Sequence, residues 1–554
     1  MFIRLKNMPS GKTAVQIVSS VRNNGKVQQK IIRHVGTANN ENEVILMNNL
    51  AKQLLAEMKL EIQPSLFSHE EMVETVVNSK CKNKVKTKLD ADLGDVKEEI
   101  RIITGIHEIY GEIYRNIGFD RVLSNPSRKI ASTRNLYNIV MSRIANPESK
   151  RGSVLDLVRN FGININLPAV YRMMDHIDDS AVDRIEELAY QNATGLLQEK
   201  ISVTFFDCTT LYFESFTEDE LMQKGYSKDN KFNQPQVLLA LLATASGLPI
   251  GYEVYPGSTF EGHTLKDAID KLRIKYELEQ IIFTANSGLL SKMNLEYLES
   301  NGIKYIVGAR LKNLPSKIIE QVTNINSFRK ITGEENYEKI NSLNLTENKK
   351  LIVTHSDSRA QKDKSDRTKA IDKLKIKLSK SRNPASLISN YGYKKFLKIE
   401  GTSKVSLRKD IIESAEKWDG IHGVITNVKD LSNRDIISQY HGLWQIEECF
   451  RISKHDLRVR PIYHWTPRRV RAHIAICFIA LVCVRTLMYK MKILHHPMSP
   501  RAIKKELLSI QTSILKHNKK NIRYALPSNF SVEAEKIYKI MGKKLSRKPY
   551  IIES

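Results

Sequence analysis

Three stretches of the chain carry side chains whose types and spacing could do chemistry. In ISVTFFDCTTLYFE (201–214), Asp207 follows the apolar run VTFF. A carboxylate at the end of a buried strand emerges at the sheet edge, where rigid placement suits either a metal ligand or a cap. In QYHGLWQIEECFRISK (439–454), Tyr440, Leu443, Glu447, Arg451 and Lys454 lie three, four or seven residues apart. One helix would present them on one face, a turn apart. Trp444, Ile446 and Phe450 would pack on its other faces. The face reads either as a functional Glu–Lys pair or as a solvated ion-pair stripe. In RPIYHWTPRRVRAHIAICFIAL (460–481), Arg468, Arg469 and Arg471 stand beside Trp465. Cations with an aromatic suit a nucleic-acid backbone and an unstacked base; a basic loop leading into a buried helix reads the same way. His263, with Thr264 after the GSTFEG turn, reads as a hydrogen-bonded structural histidine.

The elements that must position these groups can be read around them. ISVTFFDCTTLYFE is β-branched and aromatic, hence strand. QVLLALLATASGLPIGYEVYPG (236–257) gives two strands joined through Ser246-Gly247. QIIFTANSG (280–288) and KYIVGARL (304–311) bracket a Leu-rich helix, and GIHGVITN (420–427) is a strand before a long helix over about 434–455. Strands and helices around an apolar sheet interior predict a mixed α/β core. Upstream, TAVQIVSSVR and KVQQKIIRHV alternate around Asn23-Asn24-Gly25, a hairpin pattern. Its basic residues fit a phosphate backbone or a solvated face. Helical spacing covers about 41–77 and 97–199, with a basic then acidic linker over 81–95. Within the second stretch, FGININLPAVYRMMDHID (161–178) resembles half of a helix-turn-helix that exposes Tyr171 and Arg172, or is ordinary helix packing. Residues 358–382 form a dense basic, helical segment that reads as a solvated face or a phosphate contact.

Composition bounds the answer. The chain has 554 residues, with 87 Lys+Arg against 61 Asp+Glu, a net charge of +26. Such an excess implies a polyanionic partner, nucleic acid first. Apolar residues at 41% and charged residues at 27% exclude wholesale disorder. Cys81, Cys208, Cys449, Cys477 and Cys483 lack paired metal spacing, which argues against a disulfide framework or zinc finger and for a reducing interior. The longest apolar run, Ile474 to Val484, is too short to cross a bilayer, so no membrane partner is expected.

Taken in order, FDCTTLYFE, GLPIGYEVYPGSTFEGHTL (247–265), SGLLSKMNLEYLESNGIKYIVGARL (287–311), the YHGLWQIEECFRISK helix and RPIYHWTPRRVRAHIAICFIAL resemble bacterial insertion-sequence transposases. The nearest group is IS-four-like, with a DDE triad and a YREK signature. The likeness covers roughly 200–311 and 420–485, and the N-terminal hairpin is similar too. It implies a ribonuclease H-like catalytic core interrupted by an insertion, with an N-terminal β-hairpin and a helical DNA-binding region. With the reading along the chain, the expected segments are 1–95 (hairpin, helix and linker), 96–199 (helical, DNA-binding), 200–311 (first part of the core), 312–400 (basic insertion), 401–490 (second part of the core) and 491–554 (basic, helical). Asp207 matches the first acidic position and Glu447 the third. Tyr440 and Lys454 match the signature's Tyr and Lys, and would contact phosphates near the cut. Leu443 takes the place of its Arg, for which Arg451 is a substitute cation. The likeness further implies a two-metal Mg²⁺ or Mn²⁺ site, double-stranded DNA with terminal inverted repeats, a homodimer on that DNA, and a cytoplasmic, nucleoid-associated location.

One departure stands out. The second acidic position, Asp-x-Gly in the family, reads Asn286-Ser287-Gly288 here. Two divalent cations about 3.5–4 Å apart need their charge offset, and Mg²⁺ favours charged oxygen ligands. An amide oxygen can coordinate, but one negative charge is missing. Decay of the copy, deliberate change, or compensation by an acid such as Glu261 are the readings, with loss or weakening of catalysis favoured. A DNA-binding relic without catalysis is the alternative function.

Overall fold

The computed structural model describes residues 2–38 and 95–552, apart from short stretches of which 277–281, 332–336 and 381–395 are the longest, and between 39 and 94 only 44, 47, 48 and 51. Asn24 and Gly25 of the expected turn, most of the expected helix over 41–77, and the linker through 94 lie outside the described residues. The chain divides into two compact units, residues 1–260 with 444–554, and residues 261–443.

In the first unit, Phe2–Asn7, Thr13–Asn23 and Lys26–Ala38 form a three-stranded antiparallel sheet, one strand more than the expected hairpin. Register shifts opposite Val15/Gln16 and Ile17/Val18 leave Val35 and Ile32 of the Lys26–Ala38 strand as the extra, unpaired residues, as a bulge does. Ala14, Val15, Gln16, Ile17 and Val18 of the middle strand are buried in an unbroken run, so both of its faces are covered there.

A run of helices follows: Gly105–Ile117, Ile130–Ala145, Lys150–Phe161, Leu167–Asp175 and Asp179–Leu197. Ser149 and Asp178 cap two of them by accepting from the N–H of Gly152 and Ala181, which satisfies donors left open at a helix start. The Pro467–Ile493 helix packs against the Gly105–Ile117, Ile130–Ala145 and Leu167–Asp175 helices. It is 27 residues long and apolar enough to cross a membrane by length and composition, yet 94% of its most apolar window is buried inside the protein. A helix apolar on all sides must be enclosed, and here protein encloses it. It is longer than the apolar run alone suggested, because Arg485 and Lys490 continue it while buried.

Residues 96–199 and 491–554 are not purely helical. Val96–Ile103 pairs with Gln511–His517, which pairs with Arg523–Pro527 and then Tyr550–Ile552, in a four-stranded antiparallel sheet over Ile102, Ile514, Ala525 and Ile552. The Pro500–Ser509 and Val532–Ile540 helices share the C-terminal segment.

The remaining sheet of this unit is the antiparallel meander Val203–Tyr212, Gln236–Thr244, Pro249–Pro256. Every residue of Gln236–Thr244 is buried, as its unbroken apolar run requires when both faces are covered. The Asp179–Leu197 helix packs on the third strand, where Glu186 Oε1 accepts from the Tyr252 N–H at 2.9 Å. The Trp444–Arg451 helix packs on the first two strands.

In the second unit, Ile282–Ala285 and Lys304–Gly308 run parallel. Ile421–Thr426, Lys349–His355, Lys339–Thr346 and Arg329–Lys330 extend that pair in antiparallel order. The expected mixed α/β class is observed. Residues 312–400 do more than interrupt the core, because their strands continue its sheet and bury Ile340 and Ile352 with Ile306 and Val424. The basic segment is the Asp357–Lys380 helix, in which only Arg367 and Leu374 are buried. Leu374 packs with Phe396 and Leu397, and Arg367 is held by Asp419 at 2.5 and 2.8 Å.

Candidate active site

Asp207 does not end its strand. The chain continues extended to Tyr212, and Asp207 pairs with Leu241 at mid-strand. Thr209, Thr210 and Leu211 favour the pleated backbone as strongly as VTFF does, so the strand carries on past the acid. Asp207 is the only residue between Val203 and Leu211 that is not buried, and with the terminal Tyr212 it is one of two partly exposed positions of the strand.

The helix expected over 434–455 is broken. Asn433–His441 ends at Gly442, whose N–H bonds back to the Ser438 and Gln439 carbonyls. A separate helix, Trp444–Arg451, is followed by a π-turn over Ile452–Asp456. The single stripe from Tyr440 to Lys454 therefore does not form. Tyr440 belongs to the earlier helix, Glu447 and Arg451 to the next, and Lys454 to the π-turn, where an extra residue per turn changes the register.

Within the first unit, Glu447 is exposed on the Trp444–Arg451 helix while Gln445, Ile446, Cys449 and Phe450 are buried. Asp207 and Glu447 thus sit on elements that pack together. The buried side of this helix is locked to the turn between the second and third meander strands. Arg485 Nε donates to the Gly247 carbonyl at 2.7 Å, and its Nη2 donates to Gln445 Oε1 at 2.7 Å and to the Ser246 carbonyl at 3.3 Å. The Cys449 thiol also donates to the Gly247 carbonyl, at 3.5 Å; burial pushes its pKa up to about 11, so it keeps its proton. Gly247 has φ +77°, and a Cβ there would lie 1.8 Å from Arg485 Nη2. The sequence singled out Gly247 as a turn residue but gave Arg485 no role. A lone Arg in an apolar helix was the available signal.

The expected basic contacts are tied to the protein's own groups. Arg451 Nε and Nη2 donate to the Glu448 carboxylate, both at 2.6 Å, and Nη1 to Asp456 at 3.2 Å. Arg469 grips the Asp175 carboxylate at 2.8 Å with both of its bonds, and its guanidinium lies 4.9 Å from the centre of the Tyr171 ring. Arg468 donates to the Asp175 carbonyl, and Arg471 to the Val254 carbonyl at 3.1 Å. Tyr171, expected to face outward, also packs edge-on against His464. Trp465 is 72% exposed.

Sequence reasoning missed a buried basic cluster in this unit. Lys150 Nζ donates to His473 Nδ1 at 3.1 Å, and His473 Nε2 donates to the Val459 carbonyl at 2.9 Å. Burial, reinforced by Arg143, lowers the Lys150 pKa to about 7. His473 is held well below the usual histidine range, by burial first.

In the second unit, Asn286 follows the Ile282–Ala285 strand, and its Oδ1 accepts from the Gly288 N–H at 2.9 Å. Arg310, just beyond the neighbouring parallel strand, fastens the same loop by donating to the Ser287 and Gly288 carbonyls at 2.9 and 3.1 Å. The Tyr440 hydroxyl occupies the space beside Gly308, 2.4 Å from where a Cβ would stand, and that position is 3.0 Å from the Ser287 nitrogen. Asn286, Arg310 and Tyr440 therefore meet at the ends of two parallel strands. The ring of Tyr440 lies 5.2 Å from that of His422; burial lowers the His422 pKa to about 4, leaving the imidazole neutral. His263 is exposed and Thr264 buried, and the Glu261 side chain lies outside the described residues. Among the described residues, no three His, Cys, Asp or Glu side chains cluster so as to hold a metal ion.

Residues 3–65 match the N-terminal domain of IS1634 family transposases. No curated protein matches the chain. Among solved structures, the piggyBac transposase in a synaptic complex with hairpin DNA is similar at 8% identity and a TM-score of 0.38, covering 70% of this chain and 71% of that one. The Mos1 transposase paired-end complex with the left transposon end is similar at 13% identity and a TM-score of 0.14, covering 28% and 53%. A Mos1 mariner paired-end complex with Mn gives 12% identity and a TM-score of 0.14, covering 28% and 54%. Residues 198–483 match the transposase DDE domain, in keeping with the mixed α/β core read as ribonuclease H-like. That match spans more than half of the sequence, and the chain belongs to the DDE transposases.

Proposed function

We propose that this chain is a transposase of the IS-four-like, YREK-signature group that cleaves and joins DNA at insertion-sequence ends, and that its activity is weakened by Asn286. The observation that carries this reading is the DDE-domain match over 198–483, a range within which Asp207, Asn286 and Glu447 fall. The donor set fits a hard divalent cation only in part. Asp207 and Glu447 offer carboxylate oxygens, whereas the Asn286 Oδ1 is neutral and already accepts from Gly288. Mg²⁺ or Mn²⁺ at these residues would supply Lewis-acid stabilisation of phosphate charge and a more acidic water.

The chain's own work is positioning. Phosphoryl transfer needs in-line geometry and charge neutralisation more than covalent help from side chains. Water cleaves the phosphodiester at the element's end, and the freed 3′-hydroxyl then attacks target DNA. Tyr440 and Lys454 contact phosphates near the cut. Arg451, Arg468, Arg469 and Arg471 add positive charge through whatever donors their intramolecular bonds leave. The partner is double-stranded DNA with terminal inverted repeats, held as a homodimer that brings two ends together.

Asn286 also favours a second reading, a DNA-binding relic that occupies element ends without cutting. A nicking assay with Mg²⁺ or Mn²⁺ on end-containing duplex separates the two. Asn286→Asp is nearly isosteric and restores one negative charge, so it is expected to raise cleavage at least tenfold, about 1.4 kcal/mol of barrier. A variant no more active than the parent refutes this reading of position 286.

A further inference from the structure

The second unit holds a cleft of about 520 Å³ away from the loop of Asn286 in sequence. It is bounded by the Arg329–Lys330 edge strand, the adjoining Lys339–Thr346 strand and the start of the Asn433–His441 helix. Arg329, Lys330 and Arg434 line it, with Asn341 and Asn433 among the neutral polar residues and no carboxylate among the described lining residues. Arg329 and Lys330 are exposed and form no ion pair among the described residues.

The polar groups are arranged to donate. Asn433 Oδ1 accepts from Lys350 Nζ at 2.9 Å, which leaves its NH₂ as the group with free donor capacity. The nearest acid by sequence, Asp435, has its carboxylate bonded by the Ser432 hydroxyl at 2.6 Å, so it is already engaged. Three cations around a concave wall, with no acid among its described lining residues, select a polyanion. Among the described lining residues only Ile331 and Ile340 are apolar, and none is aromatic. A nucleobase would find no stacking platform there, whereas phosphodiester oxygens would find charge and donors without sequence readout.

We infer that this cleft binds the sugar–phosphate backbone of DNA. The inference rests on the DNA-processing function proposed above and adds a contact region to it. Two cations removed should lower the slope of log K against log salt by about 1.8, at roughly 0.9 per phosphate contact. Extrapolated from a 1 M reference, that is about a 30-fold loss of affinity near 0.15 M salt.

The test titrates the full-length chain and its Arg329→Gln/Lys330→Gln variant into fluorescein-labelled duplex DNA across a salt series, reading anisotropy. Both positions are exposed, so thermal melting is expected to be unchanged and to certify the fold. A drop in slope together with weaker binding supports the cleft. An unchanged slope, with wild-type chain still binding duplex, overturns it and leaves the transposase reading intact. Wild-type chain that fails to bind duplex at all sinks the function and the cleft together. Calorimetry with inorganic phosphate and with a mononucleotide covers the other source of the same chemistry: saturable binding lost in the variant, with an unchanged DNA slope, reassigns the cleft to free phosphate esters and overturns the backbone proposal.

Discussion

Gly247→Ala is the most discriminating single perturbation of the Glu447 helix. At φ +77° an alanine is strained by about 1–2 kcal/mol. The new methyl would also lie 1.8 Å from Arg485 Nη2 and 2.4 Å from Gln445 Oε1, so the guanidinium must withdraw. Withdrawal breaks the 2.7 Å bond to Gln445 and the 3.3 Å bond to Ser246. A buried acceptor left without its donor costs about 1–3 kcal/mol. The sum is roughly 2–5 kcal/mol, read as a shift in urea midpoint at unchanged slope. Repeating the substitution on an Arg485→Met background removes the collision and should leave only the strain, about 1–2 kcal/mol. The two positions are thus expected to couple by at least about 1 kcal/mol in a double-mutant cycle. Gly247→Ala costing the same on both backgrounds would refute the lock, because Arg485 would then be able to move away freely.

Two further substitutions test the packing of each unit. The Lys150 pKa is lowered on folding, so the unfolded chain binds more protons between the folded value near 7 and the ordinary lysine range. Stability should therefore rise with pH across that window and be lowest below it; Lys150→Met is expected to flatten the rise in unfolding scans from pH 6 to 9, and a rise that survives in the variant assigns it to another group. Arg367→Met leaves Asp419, whose side chain is 17% exposed, without its bidentate partner, which should cost about 3 kcal/mol and speed amide exchange along the Asp357–Lys380 helix; exchange rates equal to wild type would contradict a structural role.

The parts of the fold that were legible in the sequence were those with local signatures. QVLLALLAT read as a strand from its unbroken apolar run, and the acidic positions were proposed from the order of motifs rather than from any one residue. Val96–Ile103 was not legible, because VKEEIRII carries four charges and its partner strand lies some four hundred residues later. Its charged residues are stabilised across strands, as in the Arg523–Glu99 pair at 2.6 Å. The break at Gly442 was hidden for a different reason: hydrophobic spacing continues through it, and only the glycine hinted at an end. Arg468, Arg469 and Arg471 had the composition of a backbone-binding cluster, but composition does not reveal Asp175 or the Val254 carbonyl. Arg485 stood out locally only as a lone Arg in an apolar helix, which does not reveal the distant turn it satisfies.

The first unit is assembled from residues before 261 and after 443, and this has a consequence for synthesis. While the ribosome is still translating the intervening stretch, the Gln236–Thr244 and Pro249–Pro256 strands have emerged, but the Trp444–Arg451 helix that packs on the first and the Pro467–Ile493 helix that packs on the second do not yet exist. A nascent chain is thus left holding uncovered apolar strands for the time needed to make the rest, the kind of exposure that invites aggregation. Premature stop codons or frameshifts within the later third of the gene should yield insoluble, rapidly degraded products rather than partly working ones.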